Sequence, residues 1–286
     1  KKKGQACSTI ASYETSTGIM CYGRHRKSIQ KPDDIEDNES RESTQTNTNG
    51  KKSTILSIKE TDICTKELKN GDRSISKNKK SYLSECHQKY KTMTSKNLHS
   101  FFKEDNDKFI EYHKTVQINE STFDPKDIPR NEIKTHLIER NPDIPTSVID
   151  MGCGYGDLVK EVNEYYTNNE SQNNYTFYSY DHVSVDPRYV KCRDISSLPH
   201  CDNSIDICVL CLAMWGSNCE DYIKEAYRVL KKGGILYISE ANKRWITEDG
   251  ESNRLFDIIV LNKFNIIKQI GFRSKFIRYT CKKCKE

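Results

Sequence analysis

Ser147-Val148-Ile149-Asp150-Met151-Gly152-Cys153-Gly154-Tyr155-Gly156-Asp157-Leu158 is the stretch on which the fold turns. Ser147 to Met151 reads as a short buried strand. The three glycines that follow at alternate positions read as a sharp turn, because a residue without Cβ takes positive φ and lets a ligand or another backbone come close. From Asp157 to about Tyr166 the apolar residues recur at helical spacing. Strand, glycine turn and helix together make a nucleotide-type cradle. By itself the signal is weak, since glycine turns also serve plain packing.

The residues downstream sharpen it. Thr176–Tyr180 reads as a second strand ending at Asp181, Val190–Arg193 as a third ending at Asp194, and Ile205–Leu212 as a fourth. Asp221–Leu230 reads as a helix closed by Lys231-Lys232-Gly233-Gly234. Ile235–Ser239 is then a fifth strand, Ser252–Asn262 a helix, and two more strands fall near 264–270 and 274–281. Alternating strands and helices imply an α/β fold over 147–286: a Rossmann-like, mostly parallel sheet with an antiparallel C-terminal hairpin. Ligands of such sheets bind outside the carboxyl ends of the strands. Asp181 at one tip can accept bonds from both hydroxyls of a ribose, and Asp194 with Ile195 forms a polar and apolar pair that can clasp an adenine.

Upstream, Leu98, Phe101, Phe102, Phe109, Ile110 and Tyr112 recur at helical spacings, with Asp105 as N-cap of the second helix. Pro129 opens a further helix through Ile133, Leu137 and Ile138, which stops before Asn141-Pro142. Residues 81–146 are thus expected to form a helical N-terminal subdomain. Residues 31–80 hold few large apolar side chains and read as a disordered polar linker. Residues 1–30 form a short Cys- and His-containing segment whose role the sequence does not disclose.

Composition agrees with a partly packed chain: of 286 residues, 35% are hydrophobic and 30% charged, with a mean hydropathy of -0.82. No run approaches the ~18–20 apolar residues of a membrane helix, and no apolar segment follows Lys1-Lys2-Lys3, so neither membrane nor secretion is expected. Residues 1–100 carry 20 Lys and Arg against 12 Asp and Glu, while residues 101–286 carry 26 against 29. The basic excess therefore lies in the N-terminal third, the usual footprint of a polyanionic partner. Twelve cysteines point to free thiols in a reducing compartment. No metal is expected: Cys281-x-x-Cys284 lacks a second pair, and Cys7, Cys21 and His25 lack the short paired spacing of a zinc site.

Gly-x-Gly-x-Gly, with one mononucleotide half rather than two, is similar to class I S-adenosylmethionine-dependent methyltransferases. So is Glu225-Ala226-Tyr227-Arg228-Val229-Leu230-Lys231-Lys232-Gly233-Gly234 before the fifth strand. Four further stretches narrow the match: Phe102 to His113, Asp150-Met151-Gly152-Cys153-Gly154, Val185-Asp186-Pro187-Arg188, and Cys211-Leu212-Ala213-Met214-Trp215-Gly216-Ser217-Asn218. In this order over residues 97–281 they resemble the ribosomal RNA-processing protein 8 (nucleomethylin) family. That resemblance implies S-adenosyl-L-methionine as cofactor, transfer of methyl to N1 of an adenine in large-subunit ribosomal RNA, and a nuclear, nucleolar setting (a cytoplasmic or viral-factory one if virally encoded).

Carried over by position, the resemblance implies cofactor contacts at His113, Gly152, Gly154, Asp181, Asp194, Ile195 and Cys211. Spacing alone makes His113 a packed or capping residue. Tyr112, Trp215 and Asn218 are candidates for the acceptor base, although Tyr112 and Trp215 suit core packing equally. Tyr155-Gly156 and Trp215 depart from the family pattern. No residue is assigned a catalytic acid or base role, because neutral adenine N1 carries a lone pair and no proton. Expected partners are ribosomal or other RNA, with chromatin or ribosome-assembly proteins reached through the N-terminal arm. Alternatives are a methyltransferase of small molecules or proteins, or a cofactor-binding scaffold.

Overall fold

Burial sorts the apolar runs into one sheet in a computed structural model that describes residues 82–247, 253–271 and 274–284. β1 (Thr146–Met151) has Val148, Ile149 and Met151 fully buried, as a central parallel strand covered on both faces must. It pairs in parallel with β2 (Tyr175–Asp181) on one side and β4 (Ile205–Cys211) on the other. β3 (Val190–Cys192) extends the sheet beyond β2, and β5 (Leu230–Ala241) beyond β4. β7 (Phe276–Lys283) runs antiparallel to β5, and β6 (Phe264–Ile270) antiparallel to β7. The order β3-β2-β1-β4-β5-β7-β6 is the Rossmann-like sheet with C-terminal hairpin expected from the sequence. The chain leaves β1 toward β2 and returns through β4 on the other flank, which opens a crevice at the carboxyl ends of β1 and β4.

Helices cover both faces. On one, α4 (Pro129–Arg140) and α5 (Asp157–Asn168) bury Ile133, Leu137, Leu158, Val162 and Tyr166 against Val148, Ile207 and Val209. Pro129 opens α4, and Asn141 closes it at φ 31 with its N–H donating to Leu137 O. On the other, α6 (Glu220–Val229) and α8 (Arg254–Leu261), separated by the short α7 (Asn242–Trp245), bury Tyr222, Ile223, Ala226, Leu255 and Ile259. A third cluster joins a helix over 82–90 (α1), α2 (Ser95–Glu104) and α3 (Asn106–Glu120) through Leu83, Tyr90, Leu98, Phe102, Phe109 and Tyr112, with Val183 just past the end of β2. Asp105 caps α3 as expected, its side chain accepting from the Lys108 N–H.

Two boundaries differ from expectation. Lys231-Lys232-Gly233-Gly234 is no loop: β5 starts at Leu230, directly after α6, and contains all four residues. Gly233 at φ 80 absorbs the irregularity, the β4–β5 register shifts between Ile205 and Ile207, and Lys231 pairs with Asp206 at 2.7 Å. The last strand starts at Phe276 rather than 274, so Cys281 lies inside β7, fully buried and paired with Leu236 and Ile266, while Cys284 is exposed. Among the described residues no three His, Cys, Asp or Glu side chains are placed to hold a metal, and no helix is long and apolar enough to cross a membrane. The segment 1–30 and the linker 31–80 lie outside the described residues.

Leu137 joins α4 to the sheet with no exposed surface. Leu137→Ala is expected to cost about 2–5 kcal/mol, read as a lowered midpoint in urea denaturation with an unchanged slope.

Candidate active site

The carboxyl ends of β1, β2 and β4 surround a cavity of about 540 Å³, roofed by α1 and α3. The glycine loop shapes its floor. Gly152 turns at φ +76, and a Cβ there would stand 2.6 Å from the Ala213 Cβ, so the loops after β1 and β4 touch across it. Gly154 turns at φ +59, where a Cβ would come within 3.1 Å of the His113 ring. Its N–H donates to Asp181 Oδ2 at 2.7 Å, and the His182 N–H donates to Asp181 Oδ1 at 2.7 Å. A carboxylate has about four lone pairs, so Asp181 keeps one acceptor site on each oxygen. Burial pushes its carboxyl up to about 6, against the pull of those two backbone donors.

Of the residues expected at the cofactor, His113, Gly152, Gly154, Asp181, Ile195 and Cys211 line this one cavity. Burial holds His113 neutral, lowering it to about 3, with the nearby His182 acting in the same direction. Cys211 is likewise kept protonated by burial, with Asp150 adding to the effect. Asp194 is placed differently. It does not line the cavity, and its carboxylate accepts from the Ser95 hydroxyl and from Ser196 N and Oγ at 2.9 and 2.8 Å.

The residues considered for the base also separate. Tyr112 and Trp215 both line the cavity. Tyr112 Oη is 3.2 Å from His87 Nε2, and the His87 ring stacks on Trp215 at 4.1 Å and 17°. The Trp215 indole N–H donates to Leu212 O at 2.9 Å, and the Arg244 guanidinium lies 4.5 Å from the Trp215 ring. Asn218 stands apart from the cavity: its Oδ1 accepts from Ser95 N at 2.7 Å and its Nδ2 donates to Asp221 at 2.9 Å.

Several lining or supporting residues were not anticipated. Asp150, at the end of β1, is buried in the cavity wall and pushed up to about 7, by burial first and by the Asp181 charge second. Its place two residues before Gly152 was the available signal. Leu212 holds a positive φ of 55 at the end of β4, a conformation that costs a non-glycine residue energy and persists only where its surroundings enforce it. Here its N–H donates to Ser239 O, and buried Glu240 takes the Met214 N–H at 2.9 Å. His87 and Arg244 carry no motif and come to the site only through tertiary packing.

A protein-family model described as "Hypothetical methyltransferase" matches residues 74–284. The chain belongs to that family. It is 36% identical over 160 residues to ribosomal RNA-processing protein 8 of Caenorhabditis elegans, covering 56% of this chain and 43% of that one. It is 30% identical over 168 residues to the 25S rRNA (adenine(645)-N(1))-methyltransferase of Schizosaccharomyces pombe, covering 57% and 50%. The chain thus spans about half the length, or less, of these curated relatives. Among solved structures, the Burkholderia thailandensis 1,6-didemethyltoxoflavin-N1-methyltransferase is similar at a TM-score of 0.45 and 14% identity, covering 63% of this chain and 87% of that one.

Asp150 gives this methyltransferase-family site a pH signature. A carboxyl raised in the folded state stabilises the fold below its unfolded pKa, and that contribution is lost as pH rises through the folded value. For Asp150 the window runs from about pH 4 to about 7. Asp150→Asn should therefore gain stability relative to the parent between pH 5 and pH 8 in paired denaturation curves. A difference independent of pH would refute the assignment.

Proposed function

We propose that this chain is an S-adenosyl-L-methionine-dependent methyltransferase that methylates N1 of an adenine in large-subunit ribosomal RNA. The observation that carries the reading is the meeting of Gly152, Gly154, Asp181 and Ile195 on one cavity. The residues fit the cofactor. The absence of Cβ atoms leaves the floor open, and Asp181 retains acceptor sites for a ribose. Ile195, 4% exposed, offers an apolar wall for an adenine, and neutral His113 stands across from Gly154. The RNA assignment draws on relatives whose names state rRNA processing or rRNA adenine-N1 methylation.

When bound, the cofactor supplies an electrophilic methyl group on a sulfonium, with its own leaving group. The chain's task is then placement rather than proton transfer. The loop Leu212–Gly216, fixed by Ser239 O, Glu240 and the Trp215 indole, presents its backbone beside the glycine turn. Aligning two reactants in this way contributes on the order of 7–11 kcal/mol. Tyr112 and Trp215 supply the aromatic wall against which an unpaired base would rest. The buried thiols of Cys153 and Cys211 are held protonated by burial, which removes competing nucleophiles from the vicinity of a methyl donor. The base must present its Watson–Crick edge, so the substrate is single-stranded or flipped out. On this reading RNA is the partner and the nucleolus the place of action. Contacts with chromatin or ribosome-assembly proteins fall to the basic residues 1–80.

Two measurements test the reading. Incubation with methyl-labelled cofactor and unmodified ribosomal RNA, followed by nucleoside analysis, should give 1-methyladenosine; label found only in protein or small molecules would remove it. In calorimetry, Asp181→Ala should weaken cofactor binding by about a hundredfold or more, since two hydrogen bonds to a charged group are lost. Near-parent affinity would contradict the role.

A further inference from the structure

His87 on α1 and Tyr112 on α3 line the cavity beside Trp215, in the loop Leu212–Gly216. Ala213 of that loop touches the glycine turn, since a Cβ at Gly152 would stand 2.6 Å from the Ala213 Cβ. Trp215 follows two residues later. The aromatic wall therefore rises next to the place where the loops after β1 and β4 meet.

Two features of the His87 imidazole are already engaged. One face stacks on the Trp215 ring at 4.1 Å and 17°, and Nε2 is 3.2 Å from Tyr112 Oη. Burial, with Arg244 acting in the same direction, lowers His87 to about 4, so the ring is neutral and carries one proton. Burial also holds the Tyr112 phenol protonated, and among the described residues His87 alone bonds its oxygen. A buried phenol with a single neighbour satisfies its one proton by donating it there. Nε2 is then the acceptor, which assigns the imidazole proton to Nδ1. Among the described residues Nδ1 has no hydrogen-bond partner, yet it is not one of the fully enclosed polar atoms that lack one. It keeps access to open space, and the cavity is the open space that His87 borders.

We propose that His87 is a specificity-determining residue that donates its Nδ1–H to N7 of the acceptor adenine. The inference rests on the cavity taking an RNA adenine for methylation at N1. Adenine offers N1, N3 and N7 as ring acceptors. N1 must keep its lone pair for the methyl carbon. N3 lies beside the glycosidic bond, on the edge that trails as a base turns out of its strand. N7 is left to meet a donor on the wall, and pyrimidines have no such atom. Guanine has one, but its N1 bears a proton, so the contact selects a purine and the chemistry selects adenine. The neutrality of His87 matters as well. Methylation at N1 leaves the base positively charged, and an imidazolium beside it would oppose that charge.

The test removes the acceptor atom and the donor separately. Fragments of large-subunit ribosomal RNA are prepared with adenosine, 7-deazaadenosine or 3-deazaadenosine, and methyl transfer from labelled cofactor is measured with the full chain. Altered basicity at N1 is common to all variants, so the quantity compared is each variant's kcat/KM ratio between adenosine and deaza fragments. For 7-deazaadenosine the parent ratio should exceed that of His87→Phe, which keeps a ring on Trp215 without the donor, by about fivefold, the size expected of one hydrogen bond between neutral groups. For 3-deazaadenosine the two ratios should agree. His87→Asn, with an amide N–H near the place of Nδ1, should recover part of the preference. Tyr112→Phe frees the imidazole proton to sit on either nitrogen and should give an intermediate ratio, which keeps the test decisive if the His87 variants do not fold. Equal 7-deaza ratios in parent and His87→Phe, with both rates lowered together, would show a packing role and overturn the proposal. A His87-dependent ratio for 3-deazaadenosine alone would overturn it too. A parent that forms no 1-methyladenosine on the adenosine fragment would instead overturn the RNA reading itself.

Discussion

Asp181 places a carboxylate at the tip of β2 with almost no access to water, and the two backbone N–H groups that reach it come from the glycine turn and from the next residue, His182. Burying a charge without partners is prohibitive. The glycine turn must therefore curl far enough to bring the Gly154 N–H within 2.7 Å. That requirement accounts for the positive φ at Gly154, while close packing against Ala213 and Val190 acts at Gly152 and Gly156, where side chains would also be strained. It also fixes the floor of the cavity. The same hydrogen bond that satisfies the charge holds the loop open for a ligand, so local stability and site geometry have one origin.

The neighbouring groups show what the arrangement costs. Asp150 lies close enough for the Asp181 charge to raise it, and Glu240 is pushed up by burial despite the pull of Arg244. Leu212 holds a left-handed backbone without being glycine. Each of these would be relieved by a simpler residue, and all three stand at the carboxyl end of the sheet. The opposite end shows ordinary economy: Ser147 and Asp206 satisfy each other at 2.7 Å, and buried Lys283 donates to Tyr227 O, Leu230 O and Asn203. Two buried carboxyls pushed upward and a left-handed leucine side by side at these strand ends are what a binding site is expected to show.

Period and punctuation made the sheet legible from the sequence. Val148-Ile149, Ile207-Cys208-Val209-Leu210 and the turn residues between them leave few alternatives, and the Gly-x-Gly-x-Gly spacing by itself marks the crevice. The four-residue Lys-Lys-Gly-Gly run misled because glycine pairs usually end elements. Here the run, with Gly233 at positive φ, bulges out of register between the Leu230 and Ile235 pairings, and β5 continues past it. Asp194 and Asn218 are expected at the ligands from the resemblance, and the structure sets both outside the cavity lining. What the sequence does not reveal is that Ser95, 99 and 123 residues upstream, donates a hydrogen bond to each. His87 and Arg244 are invisible in the sequence for the same reason, as their meeting with Trp215 depends on packing between α1, the segment after β4 and the short helix Asn242–Trp245 after β5.

Those long-range bonds give the N-terminal helices a role beyond cover. A roof attached only by apolar contacts, such as Leu98, Phe102 and Phe109, could slide over the sheet at little cost, because such contacts carry no direction. Hydrogen bonds donated by Ser95, and one accepted by Met93 O from the Ser217 N–H, join α2 and its lead-in to residues beyond β3 and β4; these do carry direction, and they set the roof's register against the strand ends. His113 gains its place across from Gly154 through that register, since α3 follows α2 after a single residue, Asp105. Any force that shifts α2 along the sheet therefore moves both the wall facing the glycine turn and the Asp194 carboxylate behind Ile195, so the roof and the strand ends beneath it cannot be reshaped independently.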